Sequence, residues 1–171
     1  MPLQTCAECP LKAKQGKKIT VYKGRAKAGT AEYCEVPFRG PKTSVDVMIV
    51  GESPGTLEIM KRQPFIGESG ELVDKELRKN GLDPSRIFFA NACRCMLEKD
   101  DKANKKLLKS AMTCCRPALE KAINLLKPKL IVCFGDVALA VSMDGLACCA
   151  FDLFVFVNGS VKYLPALEIG R

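Results

Sequence analysis

Three short runs of β-branched and aromatic residues stand out from the polar background of this chain. Val45 to Val50 is bounded by Pro41 and Gly51, and Arg86 to Ala90 and Lys129 to Phe134 have the same character. Such runs predict buried strands of parallel type. Between them the apolar period lengthens: Glu68 to Asn80 repeats apolar positions at Leu72, Val73 and Leu77 and then meets Gly81, a helix-stop signal. Lys105 to Lys127 predicts a second, longer helix with a break at Pro117, and Gly135-Asp136 opens a third through Val137 to Val141. The tail from Val155 to Leu164 predicts a fourth strand, turned at Asn158-Gly159. Strands alternating with helices specify a layered α/β domain with a parallel sheet, whose ligand site lies at the carboxyl ends of the strands. Gly51, Asn91 and Gly135 all fall there.

Residues 1–34 do not share this pattern. They are polar and rich in Lys and Gly, and they begin with Cys6-Ala7-Glu8-Cys9, so something other than a core is expected to hold them. A metal staple would do so. The length of 171 residues suits one compact domain, and neither an internal repeat nor a low-complexity segment interrupts it. The longest apolar run, Leu146 to Val157, is interrupted by Asp152 and falls short of the roughly 20 residues a membrane span needs. It reads as a buried strand or helix, with no membrane partner expected.

Charge narrows the partner. Lys and Arg number 27 against 19 Asp and Glu, a net +8, which favours a polyanion that those cations neutralise over mere basic solubility. The ten cysteines follow an N-terminus without the apolar stretch of an export signal, so a reducing compartment is expected, with some thiols used for metal. Histidine is absent from the chain. That removes the commonest general base and the imidazole metal ligands together.

The stretch from Val47 to Gly70 carries the candidate chemistry. Gly51-Glu52-Ser53-Pro54-Gly55 follows a strand and satisfies the Gly-x-Ser-x-Gly pattern of a nucleophile elbow. Two facts exclude that reading: no histidine can accept the Ser53 proton, and Pro54 has no N–H to offer an oxyanion hole. A phosphate-binding P-loop is excluded as well, because no Gly-Lys-Ser/Thr follows at the required spacing. Elsewhere, Cys6 and Cys9 form a Cys-x-x-Cys pair, with Cys93, Cys95, Cys114 and Cys115 distant in sequence. Four thiolates from these two regions suit one metal centre, and spacing alone does not choose zinc over iron and sulfur. Cys34, Cys133, Cys148 and Cys149 read as small buried hydrophobes.

Several ordered motifs together resemble one family. Gly51-Glu52-Ser53-Pro54-Gly55 with Glu58 is followed by Pro64-Phe65-Ile66-Gly67 with Gly70 and Leu72. Then come Asn91 four residues before Cys95, Cys115-x-Pro117, and Lys127-Pro128-Lys129 ahead of a strand ending in Gly135. This series resembles the iron-sulfur uracil-DNA glycosylases, family 4 and its phage relatives, from Cys6 to about Val141. The resemblance implies a three-layer α/β/α domain with a central parallel four-stranded sheet. It implies a 4Fe-4S cluster held by Cys6, Cys9, Cys95 and Cys115, with Cys93 and Cys114 as neighbours. The lysine-rich insert Lys99 to Lys109 would lie against DNA in this family; a solvated helix start is the equal alternative.

The resemblance also implies roles. Uracil flipped out of DNA would be read by Asn91, whose amide can donate to O4 and accept from N3–H, and stacked upon by Phe65. Gly51 and Ser53 would join them in binding, with backbone N–H groups around Glu52 and Ser53 facing the charge that develops on the ring. Glu52 and Glu58 are the candidates for orienting water toward C1′. A core position for Phe65 and a turn-capping role for Asn91 are the plainer alternatives. The family's C-terminal His-Pro-Ser-like turn is not matched: Glu168 stands where its histidine would fall and Ile169 where its proline would fall, suggesting a truncated or diverged end. Ile59 and Arg62 also depart from the Asp and Gly usual in the first motif. The expected protein is a monomeric glycosylase acting on DNA that contains uracil, in the cytoplasm or a host cytoplasm if phage-encoded, with activity weakened by the missing histidine. The alternative is a catalytically inactive glycosylase-fold DNA-binding or accessory protein that keeps the cluster. A third, weaker reading is a zinc-ribbon-like module joined to an α/β domain.

Overall fold

A computed structural model describes residues 4–135, 137–139, 152–157 and 160–164. The three apolar runs form strands close to their expected limits, β3 (Val47–Gly51), β4 (Ile87–Asn91) and β5 (Leu130–Phe134), after an N-terminal pair β1 (Lys18–Lys23) and β2 (Ala26–Glu32). All five residues of β3 and of β4 are buried, as a continuous apolar run between two covering layers requires. The larger sheet runs β4-β3-β5-β6-β7, with β6 (Asp152–Val157) and β7 (Ser160–Leu164) completing it. The β4–β3, β3–β5 and β5–β6 pairings are parallel and β6–β7 is antiparallel.

This corrects the expectation of a wholly parallel four-stranded sheet. The tail supplies two strands rather than one, because polar Asn158-Gly159 divides an apolar stretch long enough for both arms of a hairpin. The Asn158-Gly159 turn itself, Asp136, Val141, Cys148, Cys149, Glu168 and Ile169 lie outside the described residues.

Helices cover both faces. Helix α2 (Glu68–Lys79) lays Val73 and Leu77 on Val47, Ile49, Ile87 and Phe89. On the other face α4 (Lys105–Leu126) packs Leu119 and Ile123 against Met48, Val50, Phe88, Ala90 and Ile131. Helix α4 is continuous through Pro117, so the expected break does not occur. An interior proline costs about 3 kcal/mol, and burying Leu119 and Ile123 is worth about 1.5–3 kcal/mol each, enough to offset it. Two short helices, α1 (Thr56–Lys61) and α3 (Lys99–Ala103), sit in the connections after β3 and β4. The edge of β4 is not left bare: Arg39 and Phe89 exchange backbone hydrogen bonds of 3.0 and 2.7 Å, which protects an otherwise open edge.

The N-terminal segment has more structure than its composition suggests. Strands β1 and β2 pair antiparallel, and Tyr33 and Val36 bury themselves against Ile59 of α1. Leu11 joins Cys93, Leu97 and Ala111 in a second small cluster, and the Tyr33 hydroxyl donates to the Met96 carbonyl at 2.6 Å. The segment therefore owns a modest core. Among the described residues no helix is long and apolar enough to cross a membrane.

Candidate active site and metal centre

Parallel pairing puts Gly51 and Asn91, the last residues of β3 and β4, side by side in register. A cleft of about 1000 Å³ opens directly above them, and Gly51, Glu52, Ser53, Glu58, Phe65 and Asn91 all line it. The six expected pocket residues thus converge, although the last lies 40 positions after the first in sequence.

Asn91 is only 6% exposed, one of two buried polar residues in the described core. Among the described residues no side-chain hydrogen bond engages its amide, so a deep polar group faces the cleft with its pairing capacity unspent. Gly51 makes room for it. A Cβ at Gly51 would stand 2.6 Å from Asn91 Oδ1 and 2.8 Å from Phe65 Cζ, closer than real contacts allow.

Phe65 is held differently. Its φ of 55° is left-handed, a conformation costing a non-glycine residue of order 1–3 kcal/mol. Gly70, in the first turn of α2, lets the Phe65 backbone pass: a Cβ there would lie 2.2 Å from the Phe65 carbonyl oxygen. The Glu58 carboxylate then fastens the loop, Oε1 accepting from Gly67 N–H at 2.8 Å and Ile66 N–H at 3.3 Å. The Phe65 ring leans on Phe89 and Phe134, with centroids 5.4 and 6.5 Å away. Phe65 is therefore both partly core and one wall of the cleft.

Ser53 is occupied as well. Its hydroxyl oxygen accepts from Leu97 N–H at 3.4 Å, while the Gly51 and Glu52 carbonyls accept from Ala92 and Cys93 N–H at 2.8 Å each. These bonds tie the turn after β3 to the loop after β4. Glu52 projects into the cleft with Lys102 Nζ of α3 2.6 Å from its Oε1. That oxygen is nonetheless without an aligned hydrogen bond, so the contact is an ion pair rather than a directed bond. Lys102 belongs to the lysine-rich insert, and its charge is paired with Glu52 while its side chain stays exposed.

Sequence reasoning missed Lys102 and the hairpin tip Tyr22-Lys23-Gly24, which also lines the cleft. The hairpin had a signal: β-branched Ile19, Thr20 and Val21 before a glycine turn. Lys102 had none, because its partner lies in a different loop.

The cysteines from the two expected regions share one neighbourhood. Burial first, then Cys115, Cys9 and Cys6 among its neighbours, pushes the Cys95 thiol up to about 12; burial likewise pushes Cys115 up to about 11. Gln15 Nε2 lies 3.3 Å from Cys95 Sγ, Arg94 N–H donates to Cys115 Sγ at 3.5 Å, and Cys6 Sγ lies 3.8 Å from Glu35, itself paired with Arg94 at 2.7 Å. Among the described residues no three Cys, Asp or Glu side chains close on a point suited to a single metal ion. A cubane asks for less convergence, since each thiolate binds its own iron. Thiolates at these four positions would repel one another, and a cationic core would relieve that repulsion, with N–H donors at the Cys95 and Cys115 sulfurs suited to it. Cys93 and Cys133 are buried among apolar side chains, and Cys34 packs beside the Tyr33 cluster.

Residues 37–166 match the family profile described as Uracil DNA glycosylase superfamily. The chain is 28% identical over 142 residues to a type-4 uracil-DNA glycosylase of Pyrobaculum aerophilum, covering 83% of this chain and 61% of that protein. It is 32% identical over 102 residues to the type-4 enzyme of Sulfurisphaera tokodaii, and 28% over 99 residues to that of Thermotoga maritima, each match covering 58% of this chain. The chain spans about half the length of these relatives, 61%, 44% and 50% in turn.

Proposed function

Because the chain belongs to the uracil DNA glycosylase superfamily through residues 37–166, we propose that it removes uracil from DNA by hydrolysing the N-glycosidic bond. The observation that carries this reading is the meeting of Gly51, Glu52, Phe65 and Asn91 in one cleft at the carboxyl ends of β3 and β4. A base inside a duplex must leave the stack to be reached, and this cleft offers what an extruded pyrimidine needs. Asn91 donates to O4 and accepts from N3–H, a pattern that cytosine inverts. Phe65 covers one face of the ring.

As the bond breaks, negative charge gathers on the departing ring, and backbone N–H groups around Glu52 and Ser53 are the donors proposed to face it. Glu52, neighboured by Lys102, orients the water that attacks C1′. Glu58 acts through the loop instead. Its Oε1 is committed to two backbone N–H groups, so it serves as a positioning residue for Phe65.

Cys6, Cys9, Cys95 and Cys115 are the proposed holders of a 4Fe-4S cluster. When bound, it supplies a cross-link between the N-terminal segment, the loop after β4 and helix α4. An absorption band at about 400 nm from the purified protein is the expected result, and its absence would favour zinc.

Uracil release from an oligonucleotide carrying one uracil tests the activity. Free uracil in proportion to enzyme and time is the expected result; no release at high enzyme excess, with the cluster absorption intact, overturns it. One fact favours a second reading, a glycosylase fold that binds DNA without turnover: the chain contains no histidine. That reading expects salt-dependent DNA binding that Asn91→Ala leaves unchanged.

A further inference from the structure

We propose that the tip of the β1–β2 hairpin is a second DNA-contacting element, in which Tyr22 stacks on a base beside the extruded nucleotide and Lys23, Arg25 and Lys27 hold the flanking phosphates. The identity of the polymer rests on the glycosylase reading; the surface is a matter of this chain's own geometry.

Tyr22, Lys23 and Gly24 form one lip of the cleft whose floor holds Gly51 and Asn91. Tyr22 is 50% exposed, while Val21 beside it is completely buried. The pairing shifts between these two residues: Val21 faces Gly29, Tyr22 faces Lys27, and Ala28 is left over as a bulge. Bulges re-aim a side chain and twist a strand end. The backbone is also pinned, Tyr22 N–H donating to Thr56 Oγ1 at 3.0 Å, so an exposed aromatic ring is presented on an anchored support. Such a ring is a sequence-tolerant stacking platform.

Charge identifies the occupant. From residue 17 to residue 32 the chain carries Lys17, Lys18, Lys23, Arg25 and Lys27 against Glu32 alone. Among the described residues none of these five cations is in an ion pair, and residues 22–28 are exposed throughout. Helix α2 brings Glu68, Glu71 and Glu76 to the same cleft, and the Glu68 carboxylate comes up to the hairpin tip, where a Cβ at Gly24 would stand 2.9 Å from its Oε1. A phosphate backbone approaching this cleft is drawn to Lys23, Arg25 and Lys27 and kept from the carboxylates of α2.

The test uses the full chain with its chromophore, and two kinds of duplex: one with a single uracil and 2-aminopurine next to it, one with thymine in place of uracil. Replacing all three cations in K23Q/R25Q/K27Q is expected to lower the slope of log K against log salt by about 2 to 3 on the uracil-free duplex. Tyr22→Ala is expected to weaken binding about 5- to 100-fold and to abolish the 2-aminopurine fluorescence change, with Tyr22→Phe retaining both. Circular dichroism and the visible absorption check that each variant is folded. An unchanged salt slope, or an unchanged fluorescence response in Tyr22→Ala, overturns the assignment. If the wild type releases uracil and both variants match it, the hairpin inference falls alone. If the wild type releases none, the glycosylase reading falls, and the uracil-free salt slope still decides the hairpin.

Discussion

The two walls of the cleft are held by unlike means. Asn91 and Gly51 end strands that are buried along their whole length and paired in register, so the hydrogen-bond ladder fixes where they stand. Phe65 sits in a loop at a left-handed φ, and its position depends on a side-chain carboxylate at one point and a missing side chain at another. The sheet-borne wall is robust because many bonds share its load. The loop-borne wall is accurate but concentrated: a few named atoms carry it. A site built in both ways should respond differently when each is disturbed.

The largest effect is expected from Asn91→Ala. It removes the proposed reader of the base while leaving the ladder whole, so uracil release should fall about a hundred- to a thousandfold with little change in the denaturation midpoint. A fall in stability matching the fall in rate would mean that Asn91 serves the fold instead. Gly70→Ala should do the reverse of this first variant, acting on the loop-borne wall through structure. Its Cβ would meet the Phe65 carbonyl at 2.2 Å, and a loss of about 2–4 kcal/mol in urea unfolding is expected.

Glu58 separates positioning from proton transfer. Glu58→Ala leaves the Ile66 and Gly67 N–H groups without their acceptor and should cost about 1–3 kcal/mol, with a matching loss of release. Glu58→Gln keeps an oxygen acceptor and should stay close to wild type in both assays. Equal, severe loss of release in the two variants would instead make Glu58 the base.

The smallest effect belongs to the entry of β4. Asp83 accepts from the Ser85 backbone N–H and hydroxyl, bonds that hold its carboxyl below the usual value. With the folded pKa depressed, its stabilising contribution is present above the unfolded pKa of about 3.9 and fades as pH falls through the lower folded value. Asp83→Ala should therefore lower stability slightly at neutral pH, narrow its difference from wild type in strong acid, and leave uracil release unchanged. Chemical denaturation across pH reads the first two outcomes and the release assay the third.

How much of this was legible in the sequence follows the same division. The sheet-borne wall was readable, because buried parallel strands announce themselves as unbroken apolar runs and their ends mark ligand sites: β3, β4 and β5 appear within two residues of expectation. Helix α2 was equally plain from Leu72, Val73, Leu77 and the Gly81 stop. The loop-borne wall was readable only as a list of residues. That Glu58 grips Gly67, or that Gly70 yields to Phe65, depends on a chain reversal that no local period encodes. Hairpin β1–β2 escaped because its buried face is slight, with Val21 fully enclosed and Ile19 partly so, amid lysines that dominate its composition. Pro117 misled for the opposite reason: its local signal is strong, and the packing of Leu119 and Ile123 outweighs it.

Gly51 and Gly70 have a consequence for how such a pocket can change over generations. Two of its dimensions are set by atoms that are not there, and every substitution at either position can only add volume. The floor is consequently a one-way street: it can be filled, but it cannot be enlarged or subtly reshaped from those two sites. Change in what the cleft accepts therefore falls to its other lining residues, such as Phe65 and Asn91 within it or Tyr22, Lys23 and Leu72 on the rim, where side chains can grow, shrink or change sign.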